Sequence, residues 1–206
     1  MPPRLRKGLW VALPVIAITG LAVELMHHGV GPEAPEDLVA LFSLSFEGNL
    51  PTWYSSALLL GCGILLAAIA ARAASHRRHW GLLAGVFVYM SLDEVATLHE
   101  RLNGLVELGG VLTFGWVIPA ALVVAALGIA YLPFLRALPA TTRRRFIVAG
   151  AIYVGGALLM ELPLGLWTSG HGDENLGYVL IDFVEETMEM TGATLFLLAL
   201  EDHRGT

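Results

Sequence analysis

Long apolar stretches alternate with short polar loops along the whole 206-residue chain. Each stretch is long enough to cross the hydrocarbon core of a bilayer, which takes about 20 helical residues. The pattern predicts an all-α, polytopic membrane protein, with a single six-helix transmembrane domain covering residues 1–206. The predicted membrane spans are approximately residues 9–28, 53–74, 80–102, 112–135, 146–167 and 178–200.

The first loop on the acidic side is predicted to contain a short amphipathic helix. Pro35 precedes Glu36 and Asp37, an order typical of a helix N-terminus, and apolar residues continue to about Phe46. We expect this helix to lie at the membrane interface. The apolar run after the basic start of the chain resembles a signal peptide. No small-residue cleavage site follows it, so we interpret it as a retained first helix.

The last apolar segment carries a polar stripe. Asp182, Glu185, Glu186 and Glu189 fall within an arc of about 100° when successive helical residues are separated by 100°. A carboxylate in the middle of a bilayer costs about 2.5–3.5 kcal/mol on insertion scales. The stripe must therefore face protein, water or a cation rather than lipid.

The charged residues are sorted between the two ends of the predicted bundle. Eleven of the 12 Lys and Arg residues, all but Arg101, lie at the termini or in the turns after the second and fourth spans. Sixteen of the 18 Asp and Glu residues, all but Glu201 and Asp202, lie towards the opposite end. The positive-inside rule then predicts a plasma (inner) membrane protein with both termini in the cytoplasm.

Composition narrows the classes of protein and cofactor. At 56% hydrophobic and 15% charged residues, the chain is too apolar for a soluble domain. Its single cysteine, Cys62, rules out a disulfide framework within one chain. The single lysine, Lys7, lies outside every predicted span, which excludes an intramembrane retinal Schiff base. The short basic turns do not indicate nucleic-acid binding, and the expected partners are membrane lipids.

Polar residues from four spans are expected to meet in the acidic half of the bundle. Because carboxylates in a low-dielectric pocket repel one another, they must hold protons or bind a cation. Carboxylates with a few imidazoles suit Fe, Mn or Zn, which makes a divalent metal ion the expected cofactor. The candidate metal ligands are Glu24, His27, His28, Asp93, Glu94, His99, Glu100, Glu161, Glu185, Glu186 and Glu189.

The spacing of Glu24 and His27 matches the Glu-x-x-His pairs of di-metal carboxylate sites in helical bundles. The match is partial, since the second pair, Glu94 and His99, has a spacing of i+5. With a metal bound, Glu94 and Glu186 are the candidate catalytic residues, one of them acting as general base. The expected enzyme is a membrane hydrolase or oxidase that acts on a lipid-like substrate.

Two other functions remain open. Intramembrane acids also serve as relays in proton- or cation-coupled transporters and channels. Against a transporter, the acids occupy one half of the membrane, and Pro163 is the only candidate helix break. The chain also has the size of an accessory subunit in a larger membrane complex, or of a protomer in a homo-oligomer.

Three stretches of sequence carry a resemblance to a family. EGNLPTWYSS leads into the second span, SLDEVATLHE ends the third, and EETMEMTG lies in the last. Together they resemble an uncharacterised family of bacterial multi-pass membrane proteins. The resemblance implies a bacterial inner-membrane protein and no particular activity.

Overall fold

The structure is a computed structural model that describes residues 2–105 and 109–204. All the regular elements within those residues are helical, which confirms the all-α prediction. In chain order they are α1 (Pro3–His27), α2 (Glu36–Phe42), α3 (Leu50–Arg72), α4 (Arg77–Ala96), a 3-10 helix (Glu100–Leu105), α5 (Val117–Ala137), α6 (Ala140–Val154), a π-helical segment (Gly155–Met160), α7 (Glu161–His171) and α8 (Leu176–Arg204).

Most of the other helices of the bundle pack against α8. It packs against α1, α3, α6, α7 and the π-helical segment. Helix α4 packs against α3 and also reaches α8, where the Phe87 ring stacks on the Phe196 ring. The contact between α3 and α8 is filled by side chains with no exposed surface, among them Cys62, Leu66, Met190 and Leu200. The acidic stripe predicted for the last span therefore lies on the helix that most of the other helices contact.

Four helical stretches are long and apolar enough to cross a membrane: Pro3–His27, Leu50–Arg72, Val117–Ala137 and Ala140–His171. Helices α4 and α8 are also long, with 20 and 29 residues. Both carry several charged residues, which lower their mean hydropathy. Exposed leucine, valine and isoleucine side chains on α5, including Leu122, Val123 and Ile129, form a surface suited to lipid.

Helix α4 is shorter than predicted. It ends at Ala96 instead of about residue 102 because Thr97 adopts a left-handed conformation with a φ of 48°. The Thr97 N–H donates to the Asp93 carbonyl at 2.7 Å, and the Asp93 carboxylate accepts from the His99 backbone N–H at 3.0 Å. Helix α4 therefore ends at Ala96, and the chain continues into the 3-10 helix.

Helix α5 begins later than predicted. It starts at Val117 rather than about residue 112 because Gly109 and Gly110 have positive φ angles of 65° and 62° and are followed by turns. The described part of the loop before α5, residues 109–116, lies against α7, where the Thr113 hydroxyl donates to the Gly165 carbonyl at 2.9 Å. It brings Trp116 towards the acidic residues of α7 and α8.

The fifth predicted span contains a break in its α-helical hydrogen bonding. Residues Gly155–Met160 form a π-helical segment that joins α6 to α7. Gly156 allows this segment to approach α8 closely, since a Cβ atom there would lie 2.8 Å from the Glu185 carbonyl oxygen. The irregular turn therefore lies directly against the acidic stripe.

The basic end of the bundle, where both termini and the two arginine-rich turns lie, is tied by an ion-pair network. The Asp202 carboxylate accepts hydrogen bonds from Arg6 at 2.9 Å and from Arg145 at 2.5 Å. The hydrogen bond from Arg6 is the main reason why the pKa of Asp202 lies below its usual value, and Arg145 lowers it further.

Replacing Asp202 with Asn is expected to reduce thermal stability only slightly. The side chains are solvent-exposed, so the loss should stay below about 1 kcal/mol. Because folding lowers this pKa, the stabilisation is present at neutral pH and disappears as the pH falls through the pKa of the folded protein. Thermal unfolding in detergent at neutral and acidic pH measures the effect. An equal difference between D202N and wild type at both pH values would contradict it.

Candidate functional site

A small cavity lies at the acidic end of the bundle, between α8, α7, the 3-10 helix and the loop that joins α2 to α3. Its volume is about 110 Å³, enough for a few water molecules or a small cation. No Lys or Arg is among the described residues that line it. The acidic and histidine side chains in its wall are Glu47, His99, Glu161, Asp182, Glu185 and Glu186.

The carboxyl groups of α8 are held inside the protein. Asp182 and Glu185 are only 8% and 7% exposed, and Glu186 and Glu189 are half-buried. The Oε2 atom of Glu185 is buried and has no hydrogen-bond partner among the described residues. A buried acceptor without a donor is costly, so Glu185 is suited to hold a proton or to bind a cation or water.

The loop after α2 closes the cavity on one side. The Ser45 hydroxyl donates to the Asp182 carboxylate at 2.5 Å, and the Ser43 hydroxyl donates to Glu24. The Asn49 side chain holds the loop by donating to the Ser43 carbonyl at 2.7 Å and accepting from the Thr52 N–H at the start of α3. Two acids on different helices are thus joined through one loop.

Ser45→Ala is expected to destabilise the protein by about 1–3 kcal/mol, because it removes a donor from the buried Asp182 carboxylate. Ser169→Ala is the matched control, since the Ser169 hydroxyl bonds only to the Leu166 carbonyl on an exposed surface. Thermal unfolding of both variants in detergent measures the difference. Equal stability of S45A and S169A would show that the Ser45 bond contributes little.

Helix α7 and the start of α5 form another wall of the cavity. The Trp116 indole N–H donates to the Glu161 carboxylate at 3.0 Å, and Glu161 is only 7% exposed. The Trp116 ring also contacts the His99 ring, with their centroids 4.7 Å apart. The bond from Trp116 thus ties the residue before α5 to Glu161 on α7.

Asp93 and His99 form a carboxylate–imidazole pair at the end of α4. The His99 Nδ1 atom lies 2.9 Å from the Asp93 carboxylate, and His99 lines the cavity. Asp93 itself is absent from the cavity wall. Its carboxylate orients His99, which is a positioning role that the sequence pattern did not distinguish from metal ligation.

A second group of acids lies deeper in the bundle. Glu189 on α8 lies near Glu94 on α4 and near the Tyr153 hydroxyl on α6. Glu94 in turn lies near Ser55 on α3. Glu186 lies near both Glu94 and Glu189 and also lines the cavity, which connects the two groups.

The remaining predicted ligands are peripheral to the cavity. Glu24 is buried and lies 3.6 Å from the His28 Nε2 atom, but neither residue lines the cavity. The His27 side chain is exposed and contacts the His28 ring with its own. The side chain of Glu100 lies outside the described residues.

The arrangement of the described side chains does not support a metal centre. No group of three or more His, Cys, Asp or Glu residues among them is arranged to hold a metal ion. The carboxyls of Glu24, Asp93, Asp182 and Glu161 are each engaged by a protein donor or imidazole instead. The geometry therefore gives no support to the predicted Fe, Mn or Zn site.

Sequence reasoning missed several residues of the site, among them Ser43, Ser45, Asn103, Trp116 and Tyr153. These residues are neutral and lie outside the acidic segments, so no local pattern distinguished them. The one available signal was the polar stretch between α2 and α3, which is rich in serine for a loop between apolar segments.

The chain matches the family described as "Domain of unknown function (DUF8692)" over residues 9–203, and it belongs to that family. This confirms the resemblance to an uncharacterised family. No curated protein and no solved structure matches the chain. The function must therefore be argued from the site itself.

Proposed function

We propose that this family member is a bacterial inner-membrane protein whose acidic cavity binds and releases a cation, the proton above all, as part of a proton- or cation-coupled transporter or channel. In this proposal α1, α3, α4, α5, the α6–α7 pair and α8 all cross the membrane, α2 lies at the interface, and the termini are cytoplasmic. Four apolar helices and the arginine-rich turns at one end support that topology.

Glu185 carries the proposal. Its carboxyl is buried, has an unpartnered Oε2 atom and borders a cavity that it shares with Asp182, Glu161 and Glu186. The buried Oδ1 atom of Asn103 in the same wall also lacks a hydrogen-bond partner among the described residues. Two acceptors without donors favour an occupant that donates protons or carries positive charge.

The π-helical segment beside this site favours a conformational change there during transport. Interrupted helices are typical of coupling-ion sites in membrane transporters, and π turns are frequent at functional sites. The segment Gly155–Met160 packs against α8, with Gly155 beside Met188 and Gly156 beside Glu189. A change in the protonation of Glu189 would alter the surface on which this segment rests.

The binding step can be tested by infrared spectroscopy of the protein in lipid nanodiscs. We expect a carbonyl stretch from protonated carboxylic acids at neutral pH, and its loss on alkalinisation. Proteoliposomes that contain a pH-sensitive dye test the transport step, and a membrane potential should drive proton entry faster than in protein-free vesicles. Absence of both signals would overturn the proposal.

The metal-dependent enzyme is the second candidate, and one observation favours it. Histidines that bind metals commonly bond through the other ring nitrogen to a carboxylate, as His99 does to Asp93 beside the cavity. In that case Fe, Mn or Zn and a lipid-like substrate would be expected. Elemental mass spectrometry of protein purified without chelators tests it. A metal present in wild type and lost in Glu185→Gln would favour this candidate over proton binding.

A further inference from the structure

A larger cavity opens at the basic end of the bundle, away from the carboxyl groups. Its volume is about 370 Å³, and it lies between the α3–α4 turn, the α5–α6 turn and the end of α8. Trp80, Phe134 and Leu138 form apolar walls, and each is buried. Arg72 and Arg204 border the same cavity and are exposed. One cavity thus combines an apolar interior with cationic side chains.

The charge in this cavity is positive. No Asp or Glu is among the described residues that line it. Arg204 is bonded to Glu201 at 2.9 Å, whereas no carboxylate pairs with Arg72 in the described part of the chain. Burial lowers the pKa of His203, whose ring stacks on Trp80 with 5.2 Å between centroids. The arginines, not this histidine, therefore supply the positive charge.

Backbone N–H groups at this cavity also favour a negatively charged ligand. His76 and Pro139 line the cavity, and they are the residues that precede α4 and α6. Neither helix has a side-chain cap or an acidic residue in its first turn. Two helix N-termini with uncapped N–H groups thus lie at one cavity, and their dipoles favour an anion.

We propose that this cavity binds the phosphate group of an anionic phospholipid. Arg72 binds the phosphate with charge-assisted hydrogen bonds, and the aromatic and aliphatic walls accommodate the glycerol and upper acyl chain. A lipid is favoured over free phosphate because the cavity wall is mostly apolar and lies where the positive-inside rule puts the lipid headgroups of the cytoplasmic leaflet.

Native mass spectrometry with short-chain phosphatidylglycerol tests the proposal directly. Arg72→Gln should weaken binding by about ten-fold, as expected for one charge-assisted hydrogen bond. Arg144→Gln is the matched control, because Arg144 is an exposed arginine at the same end of the bundle and does not line the cavity. Ala74→Trp, which places an indole at the exposed rim, should also weaken binding.

Parallel titrations separate the possible ligands. Phosphatidylcholine should bind less tightly than phosphatidylglycerol, and inorganic phosphate should compete poorly with either. Equal binding of phosphatidylglycerol by R72Q, R144Q and wild type would overturn the proposal. Strong competition by inorganic phosphate would overturn the lipid assignment, because a soluble phosphate would then be the ligand. None of these outcomes depends on the carboxylate cavity.

Discussion

Replacing Glu185 with Gln is expected to abolish potential-driven proton entry into proteoliposomes. Glutamine keeps the size and polarity of the side chain but cannot take up or release a proton. Glu185 is buried at the cavity, and its Oε2 atom has no hydrogen-bond partner among the described residues, so the proposed proton binding depends on this carboxyl. The rate of dye acidification should fall to that of protein-free vesicles. The protonated-carboxyl infrared band should weaken at the same time.

Two further variants make this result specific. Glu36→Gln removes a carboxyl from the exposed first turn of α2 and should leave proton entry unchanged. Glu185→Asp restores a titratable group and should recover part of the activity. If E185Q conducts protons as fast as E36Q while both remain folded, Glu185 is not the proton-binding residue.

Replacing Gly192 with Ala is expected to destabilise the protein. A Cβ atom at residue 192 would lie 2.6 Å from the Tyr153 backbone nitrogen and 2.7 Å from the Tyr153 Cβ atom. The neighbour is largely backbone, so α6 and α8 must move apart to admit the methyl group. Overpacking of this kind costs about 1–3 kcal/mol. The separation would also withdraw the Tyr153 hydroxyl from Glu189.

Gly85→Ala is the matched control for this prediction. Gly85 lies within α4 and is exposed, and apart from its two chain neighbours and the local helix backbone no described atom lies within 4 Å of the place that an alanine Cβ would occupy. In an open helical position alanine is favoured over glycine by about 1 kcal/mol. The same substitution should therefore raise the unfolding temperature at residue 85 and lower it at residue 192. Equal shifts in thermal unfolding would contradict the close packing of α6 on α8.

The sequence predicted the helices well where hydrophobic length decided them. Helix α3 covers residues 50–72 against a predicted span of 53–74, because an unbroken apolar run follows Asn49 and Pro51. The predicted end at residue 102 failed because Thr97 adopts a left-handed conformation. This left-handed conformation accompanies hydrogen bonds that the Asp93 carbonyl and carboxylate accept. A hydrophobic pattern does not predict such bonds.

The candidate site likewise has features that the sequence predicts and features that it does not. Helical periodicity alone aligned Asp182 and Glu185, and the cost of charge in lipid required them to face inwards. Contacts between segments that are far apart in the chain determine which side chains bond to the acids of the cavity. Ser45 and Asp182 are separated by 137 positions in the chain, and Trp116 and Glu161 by 45.

The amino-acid sequence was enough to predict an all-helical chain with apolar helices long enough to cross a membrane, the sorting of charges between its two ends, and the alignment of acids on α8. Those properties follow from the solvation of side chains, which depends on the residues of each segment and not on its contacts with other segments. Only the packed structure shows that Asp93 is paired with His99, that serine hydroxyls donate to Asp182 and Glu24, and that Glu185 borders a cavity with an oxygen that has no hydrogen-bond partner among the described residues. These features depend on distances between helices, which arise only when the side chains of separate segments pack together.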